Sequence, residues 1–177
     1  MKKKHLIILW LLLLLTGCGS KSSFPIDVGD FVVKFYHNDV DYKEITPDTI
    51  EWLEIIKEFE EQIDSENTWY KNSLFIIKTP VESGVTIEEI AEVNTQQLKS
   101  KLLQYTQLEY TDDTVKCKDN EYPWYISTFS YQLWEDIIYD GQYYLLDGTT
   151  LYMLSLSSEL EKDIKRFVKS VHKTDCK

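Results

Sequence analysis

Short runs of β-branched and aromatic residues, and stretches in which apolar and polar residues alternate, predict β-strands along much of the chain. These strands are Phe31–Tyr36, Val40–Ile45, Ser73–Thr79, Leu108–Lys116 and Tyr125–Leu133. A further segment, Leu151–Leu156, is apolar on both faces, which predicts a central strand covered on both sides. The chain is therefore expected to be rich in sheet.

Two Asp-Gly pairs mark expected reversals of the chain. Asp140-Gly141 and Asp147-Gly148 both lie between apolar segments, and Asp-Gly is a strong signal for a two-residue β-hairpin turn. Together they predict an antiparallel meander from Tyr125 to Leu156.

Three segments have apolar residues at helical spacing. The first begins at Thr46-Pro47. Four apolar residues are expected to share one face of this helix: Trp52, Ile56, Phe59 and Ile63. The second is introduced by a capping-box pair, Thr86 and Glu89. Its apolar side is formed by Ile87, Ala91, Leu98, Leu102 and Tyr105.

The third helical segment lies near the C-terminus. Ser158 and Glu161 are expected to cap it, and its apolar residues are expected to face inward. They are Leu160, Ile164, Phe167, Val168 and Val171. Antiparallel strands combined with such helices predict an α+β fold: an antiparallel β-sheet with helices packed on its faces and a C-terminal amphipathic helix.

The N-terminal segment has the organisation of an export signal. Lys2–Lys4 are charged, Leu6–Leu15 are apolar, and Leu15-Thr16-Gly17-Cys18 resembles the lipobox of bacterial lipoproteins. That resemblance implies cleavage before Cys18, diacylglycerol on its thiol and acylation of its new amino group. The apolar run is shorter than the roughly 20 residues that a transmembrane helix needs.

The lipobox divides the chain into three parts. Residues 1–17 are the expected signal peptide, residues 18–23 are the lipidated cysteine and a small polar tether, and residues 24–177 are a single domain. The protein is therefore predicted to lie in the cell envelope, held to a membrane by its lipid, with the domain on the extracytoplasmic side.

The charge of the chain is strongly negative. It has 30 acidic and 19 basic residues, a formal charge of −11, and loss of Lys2–Lys4 leaves 16 basic residues and a charge of −14. Such a surface repels the phosphates of nucleic acids and of anionic lipids. It favours a basic protein or peptide as partner; the alternative is that the charge serves solubility alone.

Two cysteines remain beyond Cys18. In an exported domain, Cys117 and Cys176 favour a disulfide, the alternative being two unpaired thiols.

The sequence contains no motif for catalysis or for binding a metal or cofactor. The two histidines beyond the signal, His37 and His172, are isolated, and the acidic loops lack the spacing of a calcium loop. No Gly-x-Ser-x-Gly motif is present. The predictions are therefore no catalytic residues, no metal site, no cofactor and a non-enzymatic protein.

One aromatic segment is a candidate binding surface. Tyr122, Pro123 and Trp124 lie at the entrance of a predicted strand, and tyrosine and tryptophan are enriched at binding hot spots. The alternative is that these rings fill the core of a thin sandwich.

The last third of the chain resembles the ending of PsbP/DcrB-like proteins, in which a final strand leads into a helix. The residues that carry this resemblance are Tyr143–Leu154 and Ile164–Val171. It implies an accessory protein with no catalytic residues. We therefore expect an envelope lipoprotein that binds a protein or peptide. The alternatives are an immunity or inhibitor lipoprotein against a basic toxin or hydrolase and, less favoured, a hydrolase with a dispersed site.

Overall fold

The computed structural model describes residues 22–37, 41–45, 54–62 and 70–177. Antiparallel strands form most of this part of the chain, and with two helices they give an α+β fold. The first strands are β1 (Ser22–Val28), β2 (Phe31–His37), β3 (Asp41–Ile45), β4 (Glu54–Gln62) and β5 (Ser73–Pro80). The remaining elements are α1 (Ile87–Lys101), β6 (Leu103–Cys117), β7 (Asn120–Leu133), β8 (Asp136–Asp147), β9 (Thr150–Ser158), α2 (Glu161–Val171) and β10 (Asp175–Cys176).

The strands form two sheets. The larger has seven strands in the order β3-β4-β5-β9-β8-β7-β6, and the smaller has three in the order β1-β2-β10. The small sheet and α2 pack on one face of the large sheet and enclose the main core, which includes Phe31, Phe35, Trp124, Tyr143 and Phe167. Helix α1 packs on the opposite face.

Helix α1 begins where its local sequence predicts it, but it ends at Lys101, so Tyr105 of the predicted apolar side lies in β6. The Thr86 N–H donates to Glu89 Oε2 at 2.9 Å, and the Glu89 N–H donates to Thr86 Oγ1 at 3.3 Å, so the capping box is confirmed. Ile87 and Ala91 are buried against the large sheet.

Helix α2 begins differently from the prediction. Leu160 is its N-cap residue and is exposed, and no side chain caps it. The Ser158 hydroxyl instead accepts from the Leu160 N–H at 3.0 Å and donates to Asp163 Oδ2 at 3.1 Å. The inward positions of Ile164 and Phe167 are as predicted, but the Ser158–Glu161 cap and the inward position of Leu160 were wrong.

The predicted helix from Thr46 to Ile63 is wrong over residues 54–62, which form β4; its other positions lie outside the described residues. Strand β4 has a register irregularity between Ile55 and Lys57. A bulge changes which residues share a face of a strand. Strands β3 and β5 pair with β4 on its two sides, and Phe59 is buried in the main core against Phe24 of β1, which outweighs local helical preference.

The two Asp-Gly pairs have different roles. Gly148 lies in the turn between β8 and β9 with a φ of 58°, as predicted. Asp140-Gly141 was wrongly predicted as a turn, because it lies inside β8 and the chain reverses at Trp134 and Glu135. Gly141 is needed for packing instead: an added Cβ would lie 2.8 Å from Phe167 Cδ1.

The other predicted strands agree largely with the structure. Those at Phe31–Tyr36 and Ser73–Thr79 are confirmed as β2 and β5. Leu151–Leu156 is confirmed within β9, which pairs with β5 and β8. Strand β3 falls within the predicted strand Val40–Ile45, and it pairs with β4 in the large sheet. Strand β1 begins at Ser22, two residues before the predicted start of the domain.

Candidate functional site

The predicted partner-binding segment lies largely inside the molecule. Trp124 is buried, and its ring contacts those of Tyr143 and His172. Tyr122 is half-buried and packs edge-to-face on Phe31 with ring centroids 4.8 Å apart. Pro123, between them in sequence, is half-buried. These contacts make Tyr122 and Trp124 part of the core, as the packing alternative expects.

The structure brings together the two cysteines of the domain. Cys117 at the end of β6 and Cys176 in β10 form a disulfide with Cα atoms 5.7 Å apart. The bond links the large sheet to the small one. Cys18, the predicted lipidation site, lies outside the described residues, and the division into signal, tether and domain stays a prediction.

Two tyrosines that the sequence analysis did not single out form a stack on the face that carries α1. The rings of Tyr110 on β6 and Tyr125 on β7 are nearly parallel, 7° apart, with centroids 6.4 Å apart. Tyr125 in turn packs edge-to-face on the buried Tyr144. Tyr110 is 67% exposed, so the stack continues from the core to the surface. We call Tyr110 and Tyr125 the tyrosine stack.

Carboxylates surround the tyrosine stack. Asp112 is exposed and lies directly across from Tyr125 in the β6–β7 ladder, and Glu88 is exposed on the first turn of α1. Burial raises the pKa of the Tyr125 hydroxyl, and the nearby Tyr110, Asp112 and Glu88 raise it further. The electrostatic environment of the stack is therefore negative.

The stack lies beside an edge of the large sheet. Strand β6 is the last strand in the sheet order, so one side of its backbone is directed away from β7. Its pairing with β7 is irregular before Glu109 and regular over Glu109–Cys117. The end of this segment meets β10, because Cys117 is bonded to Cys176 and the Lys116 carbonyl oxygen lies 3.4 Å from Cys176 Sγ. The edge segment Glu109–Val115 is the part that can accept another strand through backbone hydrogen bonds.

A second polar cluster on the same face surrounds Asp140. The Ser155 hydroxyl donates to Asp140 Oδ1 at 3.1 Å, and the Ser157 hydroxyl also donates to this carboxylate. Tyr70 and Tyr131 hydrogen-bond to Ser157. Burial raises the pKa of Asp140 to about 6, although the two serines act in the opposite direction.

Asp140 makes folding stability depend on pH. Because the pKa of its carboxyl is higher in the folded protein, the native state binds more protons between about pH 4 and about pH 6. The free energy of unfolding should therefore fall on the order of 3 kcal/mol as pH rises through this window. Urea unfolding of the wild type and of Asp140→Asn across the window checks this. In the variant, the free energy of unfolding should no longer fall over this pH window. If the variant and the wild type showed the same pH dependence, titration of other groups would account for it.

The less favoured hydrolase alternative expects a pocket with converging polar groups and a perturbed carboxylate. A groove of about 480 Å³ lies between α2 and strands β6 and β7. Its apolar lining includes Leu108 and Ile164, with Glu161 and Lys165 among its charged residues. Asp140 does not line this groove.

Two kinds of feature are absent from the described residues. Within ranges 22–37, 41–45, 54–62 and 70–177, no three His, Cys, Asp or Glu residues are grouped so that they could hold a metal ion. In the same ranges, no helix is long and apolar enough to cross a membrane.

Comparison with known proteins gives only distant structural similarities. No family model matches the sequence, and no curated protein matches it. A protein of unknown function, PA94 from Pseudomonas aeruginosa, aligns with a TM-score of 0.49 at 7% identity, covering 83% of this chain and 89% of that one. LpqN, involved in cell envelope biogenesis of Mycobacterium tuberculosis, aligns with a TM-score of 0.46 at 10% identity, covering 88% and 90%.

These similarities assign neither a family nor a function. The lipobox and the resemblance to PsbP/DcrB-like proteins therefore stay predictions from the sequence.

Proposed function

We propose that this chain is a lipid-anchored, non-enzymatic protein of the bacterial cell envelope, and that its acidic domain binds a basic protein or peptide along β6. The observation that carries the proposal is the exposed tyrosine stack, flanked by Asp112 and Glu88 beside the regular edge segment Glu109–Val115. The anchor rests on the predicted lipobox at Cys18.

Each part of this surface suits a basic, extended partner. The face of an exposed tyrosine attracts a Lys or Arg side chain, and neighbouring carboxylates add to that attraction. The backbone of an edge strand supplies affinity that does not depend on the partner's side chains. The partner would therefore be recognised by its positive charge and by an extended segment.

The surface is poorly suited to a second copy of this chain. The edge segment Glu109–Val115 carries Glu109, Asp112 and Asp113 and has no basic residue. Pairing two such acidic edges places like charges together, which is a common means of preventing edge-to-edge association. The irregular pairing of β6 before Glu109 limits the length of edge available.

Binding is tested with the full lipidated chain immobilised in detergent and exposed to solubilised envelope. We expect it to retain a basic protein, and we expect that protein to bind the variant Tyr110→Ala/Asp112→Asn at least about tenfold more weakly, since truncating a hot-spot tyrosine costs about 2 kcal/mol. Affinity should also fall as salt is raised, because exposed charges are screened.

The matched control is Trp134→Ala/Asp136→Asn. It replaces an exposed aromatic residue and an exposed aspartate at the other end of the sheet, and it should bind as the wild type does. Equal binding by the Tyr110 variant and the wild type would contradict the proposal. The identity of the captured protein also tests the alternative function. An immunity or inhibitor role requires the captured protein to be a toxin or a hydrolase.

A further inference from the structure

Three large apolar side chains are exposed together at one end of the large sheet. Leu103 is 70% exposed, Trp134 is 77% exposed and Ile137 is 55% exposed. Leu103 pairs with Gln132, and Gln132 pairs with Ile137, so Leu103 and Ile137 lie in one row across β6, β7 and β8. Trp134 lies in the turn that joins β7 to β8. We call Leu103, Trp134 and Ile137 the apolar tip.

The backbone at the apolar tip is unusual for a bulky residue. Trp134 has a φ of 57°, a left-handed conformation that favours glycine or asparagine. The Gln132 side-chain amide donates to the Trp134 carbonyl at 2.8 Å and helps to hold the turn. The turn therefore exposes a large indole at a position where a small residue would cause less backbone strain.

The direction of β1 places the start of the domain at the same end of the molecule. Phe24, near the start of β1, contacts the rings of Phe59 and Tyr42 in the large sheet. In that sheet, Tyr42 pairs with Glu61. The row of paired residues that contains them lies near the end of the sheet that carries the apolar tip. At the opposite end, Phe31 contacts Tyr122 next to the disulfide. Ser22 therefore begins β1 at the end of the apolar tip.

The chain between Ser22 and the predicted lipid is short. Four residue steps separate Cys18 from Ser22, and a fully extended chain spans at most about 14 Å over that length. A lipid on Cys18 thus keeps Ser22, at the start of β1, within that distance of the lipid headgroups.

We propose that the apolar tip lies in the interface of the bilayer that holds the lipid anchor. The inference rests on the anchor of the proposed function and adds an orientation to it. Tryptophan is the residue that membrane interfaces favour most, together with tyrosine, because its ring is apolar and its N–H remains hydrated. Leu103 and Ile137 supply the apolar surface beside it.

Charge determines which lipid suits the contact. Lys99 and Lys101 precede Leu103 in sequence, and Glu135 and Asp136 follow Trp134, so the tip itself carries both signs. The predicted mature chain as a whole carries −14, which opposes an anionic surface. Contact with zwitterionic lipid is therefore expected to be stronger than contact with anionic lipid.

This orientation leaves the partner-binding edge exposed. Strand β7 has 14 residues and spans roughly 45 Å at the usual rise per residue. The edge segment Glu109–Val115 lies in the half that ends at the disulfide, away from the apolar tip. A partner could therefore reach it without displacing the domain from the membrane.

The test uses the full lipidated chain in phosphatidylcholine vesicles with and without brominated phosphatidylcholine, which quenches tryptophan that enters the interface. We expect bromine to lower the fluorescence of the wild type and this quenching to be lost in Trp134→Phe. Leu103→Ser/Ile137→Ser should also lose it. Leu108→Ser is the matched control, because Leu108 is an exposed leucine of β6 outside the tip, and it should retain the quenching.

The outcomes separate this inference from the proposed function. A lipidated chain whose Trp134 is not quenched overturns the tip contact and leaves the partner-binding proposal intact. A mature chain that mass spectrometry shows to be unlipidated at Cys18 overturns both the anchor and the tip contact. If the fluorescence of Trp134 changed with protein concentration but not with bromine, the tip would contact a second copy of this chain. That result would likewise overturn the inference.

Discussion

Replacing Cys117 and Cys176 together by serine is expected to lower the free energy of unfolding by about 4 kcal/mol. The disulfide closes a loop between cysteines 59 residues apart. In the chain-entropy model, such a loop restricts the unfolded chain by about this amount. The bond also fastens β10 to the end of β6, so its loss should loosen the contact between the two sheets.

Urea and thermal unfolding measure this effect. For a domain of this size, the melting temperature should fall by about 8–16 °C, and the dependence of unfolding free energy on urea should steepen because the unfolded chain is less compact. Dithiothreitol is the control: it should bring the wild type to the level of the double variant and leave that variant unchanged. Equal stability of the oxidised wild type and the double variant would contradict the expectation.

Phe167→Ala is expected to destabilise the fold by about 3–5 kcal/mol, the usual cost of removing a buried phenylalanine. Phe167 is fully buried on α2, and its ring packs on Gly141 in the centre of β8 and near the ring of Phe35 in β2. It therefore joins both sheets to the helix. An alanine would leave a cavity that three packed elements cannot easily close.

The matched control for Phe167→Ala is Lys162→Ala, an exposed residue on the same helix. It should change the unfolding free energy by less than about 0.5 kcal/mol. The difference between the two urea midpoints isolates the packing contribution from any change in helix propensity. If the two variants were equally stable, α2 would not be packed as the structure shows.

Local sequence was most informative where an element is stabilised by its own residues. The capping box of Thr86 and Glu89 predicts the start of α1, and in the structure Thr86 is the N-cap residue of that helix. Asp147-Gly148 predicts a turn because the backbone there needs a positive φ. Such signals involve neighbours in sequence, so they can be recognised without knowledge of the fold.

Local sequence failed where pairing with distant strands determines the conformation. Glu54–Gln62 has helical spacing of apolar residues but becomes β4, because β3 and β5 pair with its two sides. Asp140-Gly141 has the composition of a turn but lies inside β8, where Gly141 makes room for Phe167. In both cases, contacts between residues far apart in sequence outweigh a local preference.

The candidate site shows the same limit. Tyr122 and Trp124 were candidates for a surface and are part of the core, whereas Tyr110 forms the exposed stack. Burial of an aromatic side chain depends on which face of a strand it occupies and on what covers that face. The period-two pattern gives the alternation of faces, but it does not show which face α2 and the small sheet will cover.

The sequence by itself determined the α+β class, the capping box of α1, the central position of β9 and the acidic charge, and it predicts the lipid anchor at Cys18. These properties follow from composition and from short-range patterns. The tertiary structure decided the strand at residues 54–62, the burial of Asp140, the tyrosine stack and the shared end of Ser22 and the apolar tip. Each of these depends on strand register and on sheet packing, which bring together residues that no local pattern connects.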